Sequence, residues 1–343
     1  MPQGKQRVEV LGRRHSTRMS AGIGGDHYKQ VSAQGTLMNK ILNFERILCP
    51  VAQAHKSDEG LRYAILIARS YGARLSVLTC NDGSSSGDET VEAMRTGIRR
   101  AIEHSFVSFP GSADAVRLDW DLKVVSNNRP EEAITREATS QNVDLIIMGS
   151  RRRSAPSVVV LGSTAEAVCR TAPCSVLVTR LAARHDAART NGNLELKKLL
   201  VATDFSRHSE LALQYGLSLA QEYQSELHLV HVIAGGARST EAEISWTSQD
   251  TEGPYHAAAR RLHESVPGEV HLWSNVTHAV REGKAYREIV SYAVEQDIDL
   301  ICIGAHGQQF TLGTLFGTNT DRVLRQAPCP VLVTRPAQSE AEK

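Results

Sequence analysis

The chain repeats itself, and no other feature limits its possible folds as much. Ile47-Leu48-Cys49-Pro50-Val51-Ala52 returns 152 residues later as Leu199-Leu200-Val201-Ala202-Thr203-Asp204. Val143-Asp144-Leu145-Ile146-Ile147-Met148-Gly149 returns 155 residues later as Ile298-Asp299-Leu300-Ile301-Cys302-Ile303-Gly304. Ala172-Pro173-Cys174-Ser175-Val176-Leu177-Val178-Thr179-Arg180 returns, also at 155, as Ala327-Pro328-Cys329-Pro330-Val331-Leu332-Val333-Thr334-Arg335. Recurrence at fixed spacing reports a duplicated structural unit. Length alone would divide these 343 residues into about two domains; the repeat makes them two copies of one.

Within each copy, short continuous apolar runs alternate with stretches of helical period. Continuous runs are what strands buried on both faces require, so the pattern predicts a parallel sheet with helices on both sides. In the second copy the strands fall at Lys198 to Thr203, Glu226 to Val232, around Val276 to Arg281, Asp299 to Ile303, and Pro330 to Thr334. The helix after the first strand lines up Ala212, Tyr215, Gly216, Leu219, Ala220 and Tyr223. A second helix lies near His256 to Ser265, and a third turns Ile289, Tyr292 and Ala293 inward. Polar inserts occupy Gly235 to Pro254 and, in the first copy, Asn81 to Glu89. The fifth strands, Val176 to Thr179 and Val331 to Thr334, fall at a sheet edge and need a partner or a cover. The expected division is an extension over 1–43, domains over 44–180 and 197–336, a linker over 181–196 and a tail over 337–343.

Charge and composition narrow the function. Lys and Arg number 39 against 38 Asp and Glu, so the chain as a whole has no attraction for a nucleic acid, and none is expected as a partner. The balance is uneven: residues 1–43 carry a net +5 and the remainder −4. No apolar run approaches the roughly 18 residues needed to span a bilayer, and the basic extension has no secretory core. Six cysteines without a CxxC or Cys/His cluster argue against a disulfide scaffold and structural zinc, and fit a reducing, cytoplasmic setting. Cys174 and Cys329 recur just before the fifth strands, as buried small hydrophobes or as a redox pair. Histidines lie scattered without ligand spacing. There is no Walker A lysine and no GxSxG elbow. Gly22-Ile23-Gly24-Gly25 lacks the third glycine and following helix of a dinucleotide loop.

In an open α/β sheet, ligands bind beyond the carboxyl ends of the strands. After the fourth strand of the second copy come Gly304-Ala305-His306-Gly307, nine residues, then Gly317-Thr318-Asn319. Glycines there allow φ above zero and close approach of the backbone to phosphate oxygens, and the Thr318 hydroxyl would cap the next helix. Asp204 ends the first strand beside this loop. The alternative is that the glycines only shape tight turns. His306 is either a general acid or base or a plain loop residue.

The loop spacing, the Ala202-Thr203-Asp204-Phe205-Ser206 strand end and the Ala327 to Val333 ending are similar to the universal stress protein family, over residues 44 to 336. The resemblance implies two tandem doubly wound five-stranded parallel-sheet domains, Rossmann-like and of the adenine nucleotide alpha hydrolase type. It also implies that they pack as a pseudo-dimer through their fifth strands. It implies a stress-response regulator with ATP as cofactor, Mg as an optional companion, a regulatory protein partner, and association of two chains as a homodimer. Carried over by position, Ala202, Thr203 and Asp204 meet the adenine and ribose side, Val232 lines the base and Ile303 flanks the pocket. Gly304, Gly307, Gly317, Thr318 and Asn319 surround the phosphates and ribose.

The first copy departs from the family pattern. Its loop runs Gly149-Ser150-Arg151-Arg152-Arg153 to Gly162-Ser163, with Arg152 where the second glycine belongs and Ala52 where the carboxylate belongs. A side chain at 152 obstructs close phosphate approach, so this copy is expected not to bind ATP in the family's manner. Arg151, Arg152 and Arg153 form either a separate anion site or a solvated loop face. Two further readings stay open: a slow ATPase or adenylate-transferring enzyme, and a nucleotide-free scaffold.

Overall fold

The computed structural model describes residues 42–52, 59–81, 88–107, 118–150, 161–180, 196–235, 253–307 and 317–336. Residues 1–41 of the extension, most of both polar inserts, residues 181–195 of the linker, Arg151 to Arg153 and the tail lie outside them. The first copy contains β1 (Arg46–Pro50), α1 (Glu59–Tyr71), β2 (Arg74–Asn81), α2 (Asp88–Val107), β3 (Trp120–Ser126), α3 (Pro130–Ser140), β4 (Leu145–Gly149), α4 (Ser163–Thr171) and β5 (Ser175–Thr179). The second contains β6 (Lys198–Thr203), α5 (Arg207–Tyr223), β7 (Glu226–Ala234), α6 (Pro254–Glu264), β8 (Val276–Gly283), α7 (Ala285–Glu295), β9 (Leu300–Gly304), α8 (Thr318–Gln326) and β10 (Val331–Thr334). A short 3-10 turn over Gly268–Leu272, not expected from the sequence, precedes β8. Helix α6 starts two residues early, at Pro254, where proline's fixed φ suits a first helical turn.

All ten strands form one sheet, in the order β3-β2-β1-β4-β5-β10-β9-β6-β7-β8. Neighbours within each copy run parallel; β5 and β10 run antiparallel, with Val331 opposite Val178 and Val333 opposite Val176. The palindromic order is that of a pseudo-two-fold axis through the sheet, which must pair equivalent edge strands antiparallel. The fifth strands thus cover each other, satisfying backbone groups an edge would leave open, and the outer edges are β3 and β8. Because the axis reverses direction, the carboxyl ends of the two copies point opposite ways.

Alternating side chains feed two cores. Leu75, Leu145, Leu177, Val201, Leu229 and Leu332 belong to the face covered by α1, α2, α5 and α6. Leu48, Ile146, Val176, Leu200, Ile301 and Val331 belong to the face covered by α3, α4, α7 and α8. Each core takes residues from both copies. On the first face, Phe44 lies between Tyr71 and Tyr215, at 4.7 and 5.6 Å, and Tyr71 shares a buried hydrogen bond with Ser218 at 3.1 Å. That junction widens the buried face of α5 beyond the predicted stripe to include Leu213, Leu217 and Ser218.

On the other face, α4 and α8 are tied by reciprocal contacts. Glu166 and Arg170 are equivalent to Asp321 and Arg325, and the four close a square of ion pairs: Arg170 to Glu166 at 3.0 Å and to Asp321 at 3.6 Å, Arg325 to Asp321 at 3.0 Å and to Glu166 at 2.8 Å. Arg335 donates to the carbonyls of Cys169, Arg170 and Ala172 at the end of α4, at 2.9, 3.2 and 3.2 Å. Its counterpart Arg180, 4% exposed, donates to the Leu324 carbonyl near the end of α8. Each copy's last strand thus delivers a cation to the other copy's helix C-terminus, where carbonyls lack intrahelical partners.

Candidate functional site

In the second copy the chain leaves β6 toward β7 on one side, while β9 lies on the other. Such a reversal opens a crevice at the carboxyl ends of the strands. The register sets Ala202 beside Val230 and Ile303, and Thr203 beside His231. Ala202, Thr203, Asp204, Ile303 and Gly304 therefore meet at this end, with Val232 at the end of the neighbouring strand. Ala202 and Ile303 are 5% and 6% exposed, hence largely core; Thr203, Asp204 and Val232 are half-buried. Gly307 is exposed just after β9, Gly317 is half-buried just before α8, and Thr318 and Asn319 are exposed in the first turn of α8.

The strand end is held by its own side chains. Phe205 N–H donates to Thr203 Oγ1 at 3.0 Å, and that oxygen also shares a hydrogen bond with Ser209 Oγ at 3.1 Å. Ser206 N–H donates to Asp204 Oδ1 at 3.1 Å, while Ser206 Oγ caps α5 by accepting Ser209 N–H at 3.3 Å. His231 Nδ1 lies 2.9 Å from the Thr203 carbonyl, which can only accept, so that nitrogen carries the proton. Phe205 has φ +62°, costly for a non-glycine residue. Its ring is braced by His231 at 4.5 Å and by the Arg261 guanidinium at 4.1 Å. The Phe205, His231 and Arg261 group had no sequence signal, because its members come from three separate elements.

The glycines serve differently from the expectation. Among the described glycines only Gly72 and Gly283 have φ in the left-handed region, so Gly304, Gly307 and Gly317 are not selected by backbone angle. What they provide is room. A Cβ on Gly307 would lie 2.6 Å from Asp204 Oδ2, and one on Gly304 would lie 3.0 Å from the His208 backbone. Thr318 is also not the cap of α8. Gly317 occupies that position, no side chain among the described residues caps the helix, and it is Thr320 Oγ1 that ties the turn to β9 by donating to the Gly304 carbonyl at 2.8 Å. First-turn N–H groups of an uncapped helix, with the positive end of its dipole, suit an anion.

His306 and His208 stand with ring centres 5.3 Å apart. Burial, then the charge of Arg335 and the neighbouring His208, pull His306 down to about 4; burial chiefly lowers His208 as well. At neutral pH His306 is therefore the neutral imidazole, with one N–H donor and one acceptor nitrogen, and not the imidazolium of an ordinary general acid.

The first copy has the same frame. Ser150 N–H donates to the Thr179 carbonyl at 3.0 Å, as Ala305 N–H does to Thr334, and Gly162 begins α4 as Gly317 begins α8. It lacks the carboxylate, since Ala52 follows β1 and is exposed. Cys174 and Cys329 are both buried free thiols, pushed up to about 12 by burial, the condition of packing residues rather than of a reactive pair.

A duplicated doubly wound α/β protein, with its candidate site at the carboxyl ends of the second copy's strands, is the class this fold defines. The chain belongs to the universal stress protein family, whose profile matches residues 43–180 and again 195–335. A universal stress protein of Mycolicibacterium smegmatis is 24% identical over 298 residues, covering 84% of this chain and 97% of the relative. A shorter one from Methanocaldococcus jannaschii is 27% identical over 159 residues, 44% of this chain and 88% of the relative. The solved structure of a putative universal stress protein from Pseudomonas aeruginosa shares the fold, at 19% identity and TM-score 0.65 over 89% of this chain and 98% of that one. Among the described residues no helix is long and apolar enough to cross a membrane.

Proposed function

We propose that the chain is an adenine-nucleotide-binding regulator of the stress response that holds one ATP in its second copy. The observation that carries this reading is the apposition of Asp204 and Gly307 at the crevice between β6 and β9, where any Cβ would strike the carboxylate. Asp204 is fixed through Ser206, which suits a ribose hydroxyl or a bound Mg. Gly307, Thr318 and Asn319 offer backbone N–H groups, a hydroxyl and an amide at the start of α8, a donor set that suits phosphates, while Gly317, whose own N–H is donated to the Ala305 carbonyl at 2.9 Å, leaves room for their approach. Ala202, Val232 and Ile303 supply the apolar side for the base. Binding is what this donor set serves: His306, held neutral by burial, supplies no cationic acid for ATP hydrolysis. Nucleotide occupancy then biases the conformation or the choice of a regulatory protein partner by a cytoplasmic homodimer, with domains at 44–180 and 197–336. The first copy, with Ala52 and Arg152, serves as the structural counterpart.

Native mass spectrometry of the freshly purified full chain, alone and titrated with ATP, tests the reading. One nucleotide per chain is expected. Two equivalent sites per chain, or none at saturating ATP, would overturn it.

A further inference from the structure

Three histidines that stand apart in sequence meet at the outer edge of the second copy, away from the residues assigned to the nucleotide. His263 comes from α6, His271 from the Gly268–Leu272 turn, and His278 from the edge strand β8. Their ring centres are 5.5 Å apart for His263 and His278, 6.1 Å for His263 and His271, and 6.4 Å for His271 and His278. His278 Nε2 is buried without a hydrogen-bond partner among the described residues, an orphan that packing alone does not explain. His263 and His271 are exposed.

Imidazole is the commonest ligand of divalent transition metals, and three of them on one ion leave a position for water or a fourth ligand. With Zn–N bonds of about 2.0–2.1 Å, two imidazoles on a tetrahedral ion have ring centres roughly 5 Å apart. The trio is slightly wider, and as the side chains stand no group of His, Cys, Asp or Glu among the described residues is drawn tightly enough to hold an ion. His263 and His271, being exposed, are the members whose rings are free to turn about their side-chain bonds, and His278 is the more buried one. We propose that His263, His271 and His278 form a site for one divalent cation of the zinc class, completed when the ion draws the two exposed rings onto His278 Nε2. The site belongs to the second copy. His278 pairs with Leu229, and the equivalent Val77 pairs with Leu122, so the first copy has an apolar side chain in its place.

The test uses the full chain, stripped by a chelator, in nucleotide-free buffer, titrated calorimetrically with Zn²⁺ alone. One saturable equivalent with micromolar or tighter affinity is expected, together with a Zn²⁺-dependent rise in Tm. His263→Ala and His271→Ala, both at exposed positions that leave the core intact, should each weaken binding at least about tenfold. His278→Leu, the first copy's own solution, should abolish it. Absence of saturable Zn²⁺ binding, binding only in the millimolar range, or full affinity retained in both exposed variants would overturn the site without touching the nucleotide reading.

Discussion

Asp144 and Asp299 are equivalent, and each accepts two backbone N–H groups at 2.8 Å, from Glu45 and Arg46 in one copy and from Lys197 and Lys198 in the other. Ala52 and Asp204 are just as equivalent, yet only the second copy keeps a carboxylate. The difference lies in where the positions sit. Asp144 and Asp299 hold a strand start that both copies need, as the paired fifth strands and reciprocal arginines hold the join. Ala52 lies at an exposed strand end where the sheet makes no demand, so that position was free to change without loss of the frame.

The largest expected effect comes from making the second copy's loop like the first. Gly307→Arg should abolish nucleotide binding measured with a fluorescent ATP analogue, and Gly307→Ala should weaken it by at least about tenfold, roughly 1.4 kcal/mol, by displacing the Asp204 carboxylate. Unchanged affinity in both variants would end the contrast between the copies.

Breaking the join should reveal that its two arginines are not equal. Arg335→Ala removes a half-buried cation from three carbonyls and should cost about 2–4 kcal/mol in denaturant unfolding. Among the described residues Arg180 has one carbonyl partner, and its Nε has none. Arg180→Ala should therefore cost less, about 1–2 kcal/mol. Equal losses would show that the pseudo-symmetry extends to the energetics.

Acid should act on the second copy first. His278 and His306 are lowered to about 4, and His208 and His228 are lowered as well, in each case with burial as the leading cause. These groups are neutral when folded and charged when unfolded below about pH 6.5. Their stabilisation is fully present above that value and is lost as pH falls toward 4. Hydrogen exchange at pH 7 and pH 5 should show protection falling more in residues 197–336 than in 44–180. A uniform fall would mean that the ten-stranded sheet opens as one unit. The smallest effect belongs to the ion-pair square. A double-mutant cycle on Glu166 and Arg325 should give at most about 1 kcal/mol, shrinking with salt.

Much of the fold was legible because duplication and continuous apolar runs are properties of the chain itself. The strand at Lys198–Thr203 matches the reading residue for residue, and Ile289, Tyr292 and Ala293 are buried as the period required. The candidate site was legible as a loop spacing, but not in its reasons. The glycines give room instead of unusual φ, Thr318 does not cap α8, and Thr203 spends its hydroxyl on the turn that aims Asp204. Those facts depend on distances between segments about a hundred residues apart, such as Asp204 and Gly307.

By itself the sequence determined the duplication, the parallel sheet, the need to cover the fifth strands and the divergence of the two loops. All of these follow from local periodicity or from comparing one half with the other. The family resemblance implied that the copies join through their fifth strands, and β5 pairs with β10; only the tertiary structure decided that both cores are shared, and that Arg180 and Arg335 cap each other's helices. It alone brought together the scattered histidines at 263, 271 and 278. The physical reason is common to them: each depends on side chains from separate elements converging, and sequence spacing carries no record of that convergence.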